Sequence, residues 1–105
     1  MTPTRELAQQ IFDVFSLFVK ALEEDGIATL GMVLLIGGTD VDTDITSIRE
    51  KGCNIVIATP GRLDDIANRV DDMKWKKLEV LILDEADRLL DMGFHHQVTS
   101  IISRL

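Results

Sequence analysis

The 105 residues predict an α/β fold, a parallel sheet with helices on both faces, and three observations carry that prediction. Three short runs are dominated by consecutive apolar residues rather than alternating, the pattern of strands buried on both faces. Stretches with apolar residues three and four positions apart, the mark of amphipathic helices, lie between them. Each run ends in a cluster of glycine, proline or acidic residues, and in parallel sheets ligands gather beyond the carboxyl ends of the strands. The three exit loops are therefore expected along one edge.

The first element is a helix over residues 5–24, along which Leu7, Ala8, Ile11, Val14, Phe15, Phe18, Val19 and Leu22 form one apolar face. Gly26 and Gly31 punctuate the connection to a strand at 32–36, which Gly37-Gly38 stops. A short helix over 42–51 follows, with Ile45 and Ile48 inward and Gly52 just past its end. The second strand covers 54–58 and breaks at Thr59-Pro60-Gly61, after which Leu63, Ile66, Ala67 and Val70 mark another helix. Trp75 stands among lysines ahead of the third apolar run at 78–83, which ends in Asp84-Glu85-Ala86-Asp87. Beyond the turn-like Met92-Gly93-Phe94, residues Val98, Ile101, Ile102 and Leu105 share the face of a last helix.

Composition bounds the function classes. With 46% hydrophobic and 28% charged residues and two prolines, the chain is that of one folded domain rather than a disordered segment. Its apolar stretches are too short to span a bilayer, and no basic-then-apolar leader pattern opens it. Cys53 is the only cysteine, which excludes an internal disulfide and a cysteine-rich zinc site and suits a reducing, intracellular setting. The net charge of −7 weighs against nonspecific binding to a polyanion. Local backbone amides and arginines can still hold phosphates whatever the total charge.

Asp84 and Glu85, two acids in succession at the end of an apolar strand, need compensation in low-dielectric surroundings, and a divalent cation supplies it. In nucleotide-hydrolysing sheets an acid at this place holds Mg²⁺, usually through water, and Asp84 suits that role; Glu85 would orient or deprotonate the attacking water. The plain alternative is a solvated helix start favoured by the helix dipole. His95 and His96 are adjacent, point apart on a helix and read as surface residues. Trp75 reads as packing over the sheet edge, and the acids of 40–44 as a solvated loop or helix start.

Further motifs give these acids a context. Pro3-Thr4-Arg5-Glu6-Leu7-Ala8, Gly37-Gly38, Thr59-Pro60-Gly61-Arg62 and Asp84-Glu85-Ala86-Asp87, the last continued by Arg88 to Phe94, together resemble DEAD-box ATP-dependent RNA helicases, in family order and across nearly the whole chain. The resemblance implies a partial RecA-like domain of the P-loop NTPase class, the first of two, and an enzyme that couples ATP hydrolysis to local RNA duplex unwinding. It implies RNA contacts through Pro3, Thr4, Arg5, Gly37, Gly38, Thr59, Pro60, Gly61 and Arg62, with Arg62 the foremost. It assigns Asp84 to Mg²⁺ through water, Glu85 to catalysis, and Asp84, Glu85 and Asp87 to the ATP site, with Asp87 linking nucleotide state to neighbouring motifs or else capping the next helix. Details around the motifs are similar to helicases of ribosome biogenesis, which implies a nuclear or nucleolar location rather than a cytoplasmic one.

Physical chemistry supports each role and offers a plainer one beside it. A hydroxyl and a guanidinium at a helix start can converge on phosphate, or Thr4 can be a simple N-cap. Paired glycines let a backbone approach RNA, or make a tight turn. No G-x-x-x-x-G-K-[ST] phosphate loop occurs in the 105 residues, nor a second RecA-like domain, so the chain is expected to be a portion of the enzyme and inactive alone. Its partners would be RNA, mainly through the sugar-phosphate backbone, the second RecA-like domain and, through an incomplete sheet, other copies of itself. The alternatives are a non-catalytic RNA-binding or protein-interaction module and a regulatory domain with decayed motifs, against which the intact Thr4, Arg5, Arg62, Asp84 and Glu85 speak.

Overall fold

Thr4 starts the first helix by accepting a hydrogen bond from the Leu7 amide at 3.2 Å, which satisfies one of the orphan donors of the opening turn. The computed structural model describes residues 1–71 and 73–105, and in it α1 spans Arg5–Glu24, the range that the apolar periodicity predicts. Its apolar face is only half covered. Ala8 is buried and Leu7, Ile11, Val19 and Leu22 are partly so, whereas Val14, Phe15 and Phe18 are exposed.

Strand β1, Met32–Leu35, pairs in parallel with β2, Ile55–Ala58, in the register Met32 opposite Ile55 through Leu35 opposite Ala58. The ladder runs on at both ends, where the Ile55 amide donates to the Gly31 carbonyl at 3.0 Å and the Thr59 amide to the Leu35 carbonyl at 3.1 Å. Gly31 is required by packing, because a Cβ there would collide with the Lys51 carbonyl and the Gly52 backbone. Between the strands runs α2, Val41–Lys51, closed by Gly52 at φ 74°. Both α1 and α2 pack against the strands, and α3, Pro60–Arg69, packs on the last helix, α5, His95–Ile102.

Val33, Leu35, Ile48, Ala58, Leu63, Ile66, Val70, Met73 and Ile101 make one core. Trp75, in a single 3-10 turn at Trp75–Lys77, packs against it as the sequence suggests. His95 and His96 lie on the surface, and α5 buries Val98 and Ile101 while leaving Ile102 and Leu105 exposed.

The third strand is where expectation and structure part. Residues 78–83 join no sheet; Val80 is 69% and Ile82 62% exposed. A continuous apolar run records a readiness to be buried, but a strand also needs a neighbour, and among the described residues only the first two offer one. The Met1 amino group donates to the Ile82 carbonyl at 2.6 Å, the Asp84 amide to the Met1 carbonyl at 2.9 Å, and the Thr2 amide to the Ala58 carbonyl at 3.0 Å. Met1 and Thr2 thus stitch the 82–84 segment to the exit of β2. Burial of the Met1 amino group lowers its pKa from the ordinary 8.0, an effect that the Asp84 carboxylate opposes. None of the helices described is long and apolar enough to cross a membrane.

Candidate nucleic-acid interface

The exits of β1 and β2 and the start of α1 meet at one end of the molecule, around an open groove of about 520 Å³. Pro3, Thr4, Arg5, Gly37, Thr59, Gly61 and Arg62, seven of the residues singled out in the sequence, line it. Of the other two, Gly38 adjoins Arg5, and Pro60 is buried as the first residue of α3, where its fixed φ suits the opening turn and no amide is needed. Glu6, Asp65, Met92 and Phe94 complete the lining. Met92 and Phe94 bring an apolar patch that sequence reasoning, having treated them as a turn, did not assign to this surface.

Two helix N-termini, those of α1 and α3, open onto this groove, and first-turn amides have no partner within their own helix. The Thr59 side chain makes no capping bond, and the Thr4 hydroxyl, which accepts from Leu7, keeps its proton for a further acceptor. Gly37 and Gly61 have ordinary negative φ, and a Cβ built on either meets nothing within 4 Å. The fold does not need a glycine at these two places. Gly38 is different: its φ is +89°, and a Cβ would run into the Arg5 guanidinium.

The arginines are less free than the sequence suggests. Arg5 donates from Nη1 to the Gly37 carbonyl at 3.1 Å. Arg62, expected to be the foremost phosphate ligand, donates from Nη2 to the Thr39 carbonyl at 2.7 Å and from Nη1 to the Thr39 hydroxyl at 3.4 Å. Its Nη1 also pairs with Asp44 Oδ2 at 2.6 Å, with the two side chains only 9% and 10% exposed. Asp44 is therefore not one of a row of solvated acids, as its neighbours Asp40 and Asp42 are. Nothing local in the sequence marks it, since its partner lies 18 residues away.

The acids fall outside the groove. Asp84 is exposed and held by its backbone bond to Met1; its carboxylate makes no hydrogen bond or close ion pair among the described residues but acts on the nearby Met1 amino group. The desolvation argument made from the sequence does not hold here, because the segment that carries these acids is not a buried strand. Glu85 is the only non-glycine residue with positive φ among those described, at 50°, and caps α4, Ala86–Asp91. That left-handed backbone costs energy for a residue with a Cβ, and such strain gathers at functional sites. The Glu85 carboxylate pairs with Arg88 at 2.8 Å. Asp87 lies in the first turn of α4, which Glu85 rather than Asp87 begins. No group of three or more potential metal ligands occurs among the described residues.

The family model described as DEAD/DEAH box helicase matches residues 1–105. DEAD-box ATP-dependent RNA helicase 18 of Arabidopsis thaliana is 52% identical over 105 residues, which are the whole of this chain and 17% of that protein. ATP-dependent RNA helicase DDX55 of Xenopus laevis is 46% identical over 110 aligned residues, again across the whole chain and 18% of the relative. Among solved structures, the yeast DEAD-box splicing factor Prp28 superposes with a TM-score of 0.87 at 36% identity, over 97% of this chain and 22% of that one. Mss116p bound to ssRNA and AMP-PNP superposes with a TM-score of 0.84 at 36% identity, over 98% of this chain and 20% of that one. The chain thus spans about a sixth of the length of the curated relatives it matches.

Proposed function

Because this chain belongs to the DEAD/DEAH box helicase family, we propose that it is a portion of an ATP-dependent RNA helicase, supplying one RNA-contacting lip and the acids that serve ATP hydrolysis. The observation that carries the RNA reading is the pair Gly37 and Gly61. Both line the groove, neither is demanded by backbone conformation or packing, and each leaves open space above a backbone beside free amides or hydroxyls. A sugar-phosphate strand needs such close approach, and amides at helix starts suit its phosphates. Contacts of this kind are nearly independent of sequence and sensitive to salt, while the 2′-hydroxyl separates RNA from DNA. The solved relative bound to ssRNA supports the same reading.

The exposed carboxylate of Asp84 fits Mg²⁺, a hard cation that takes one or two carboxylates and keeps several waters. Asp84 would hold such an ion through water, and the ion would supply positive charge beside the phosphates of ATP. Glu85 would orient the attacking water and accept its proton. The 105 residues hold no glycine-rich lysine loop to grip the phosphates, so they are expected to bring RNA contacts and acids but no turnover of their own.

Gly37→Ala and Gly61→Ala separate the two explanations of these glycines. In a protein of the relatives' full length, each is expected to leave folding stability unchanged or raise it by about 0.4–1 kcal/mol. Each should also weaken binding of a single-stranded RNA roughly tenfold. Thermal unfolding and equilibrium titration measure the two effects, and wild-type RNA affinity in both variants would refute the lip.

A further inference from the structure

We propose that Asp44 is a positioning residue of the RNA-binding lip, and that Arg62 acts with it as a brace on the loop after β1 rather than as a ligand for phosphate. This rests on the RNA reading above. Asp44 stands in the first turn of α2 and Arg62 in the first turn of α3, so their bond at 2.6 Å joins the two helix starts that flank the exits of β1 and β2. The same guanidinium grips the loop twice more, at the Thr39 carbonyl and hydroxyl. Arg5 holds the loop two residues earlier, at the Gly37 carbonyl. Two arginines thus clasp residues 37–39 through backbone carbonyls, which fixes where the glycine amides face.

The arrangement spends Arg62 internally. Three of the guanidinium contacts are accounted for, its charge is met by a carboxylate, and its side chain is nine-tenths buried. A phosphate that took the donors now turned to Asp44 would have to displace that carboxylate and leave it buried without a partner, which is strongly unfavourable. Planarity matters as well. Only a fork can reach Asp44 and the Thr39 carbonyl together, so lysine, a point charge, cannot replace it.

The two roles predict opposite results for a protein of the relatives' full length, titrated with a mixed-sequence single-stranded RNA at several salt concentrations. If Arg62 braces the loop, Asp44→Asn weakens RNA binding about threefold to tenfold although it removes a negative charge, and the double variant Asp44→Ala/Arg62→Ala binds no worse than Arg62→Ala. Arg62→Lys then loses nearly as much as Arg62→Ala, and the salt dependence keeps its slope in all of them. If Arg62 holds phosphate, Asp44→Asn tightens binding, Arg62→Lys retains most of it, and Arg62→Ala lowers the slope by about one; any of these overturns the brace. Arg62→Lys keeps the charge balance and serves where the alanine variants fold poorly. Wild-type protein that binds no RNA defeats the RNA reading itself, whereas wild-type binding matched by Asp44→Asn and Arg62→Lys defeats only the brace.

Discussion

Replacing Glu85 by Gln in a protein of the relatives' full length is expected to lower RNA-stimulated ATP hydrolysis by about 10²–10⁴-fold, the range typical for loss of a general base. Gln keeps the length and the acceptor oxygen but cannot take a proton. Binding of ATP and RNA should survive, because Glu85 lies outside the groove and the cation is assigned to Asp84. The strained backbone of Glu85 sharpens the expectation. A residue with a Cβ is held at φ 50°, where glycine would sit without cost, and strain of this kind gathers at functional sites. Its pairing with Arg88 leaves it 38% exposed, open to a water rather than sealed in the core. Steady-state hydrolysis with saturating RNA is the measurement, and a variant retaining half of the wild-type rate would remove Glu85 from the chemistry.

Gly38→Val is expected to damage both folding and RNA binding, which separates it from the changes at Gly37 and Gly61. A β-branched residue at φ +89° is costly, at about 1–3 kcal/mol, before any contact is considered. Its Cβ would also displace the Arg5 guanidinium and with it the bond to the Gly37 carbonyl. The loop clasped by Arg5 and Arg62 would lose one of its two supports, and RNA affinity should fall by more than about tenfold. Thermal unfolding together with RNA titration tests this, and a Gly38→Val protein with wild-type values for both would show that the loop is not fixed as described.

Much of the architecture was legible because it is written locally. The bounds of α1 followed from Thr4 and an unbroken apolar period, and β1 and β2 from apolar runs closed by glycine and proline, each within one residue of the observed strand. Residues 78–83 misled for a physical reason: apolar content is local, whereas the hydrogen bonds that make a strand come from a neighbour far along the chain. Part of α1 is the same case, since Phe15 and Phe18 carry the periodicity of a buried face yet stay 41% and 66% exposed.

The site divides along the same line. Seven of the nine residues picked for RNA gather in one groove because all stand at strand exits or a helix start. That placement follows from topology alone. What side chains do once there does not. The sequence offers no sign that Arg62 turns inward to Asp44, or that one glycine of the doublet is forced by its backbone while the other is free. The value of Arg62 changes accordingly, from the foremost ligand to a support, and the weight of recognition moves to amides and hydroxyls.

Hydrogen exchange read by mass spectrometry, with and without single-stranded RNA and a non-hydrolysable ATP analogue, tests the central claim most directly. Slowed exchange is expected in the segments 2–7, 36–39 and 59–63, which carry the amides around the groove. RNA-dependent protection confined to α5 and the 3-10 turn at Trp75–Lys77, with those three segments unchanged, would contradict it.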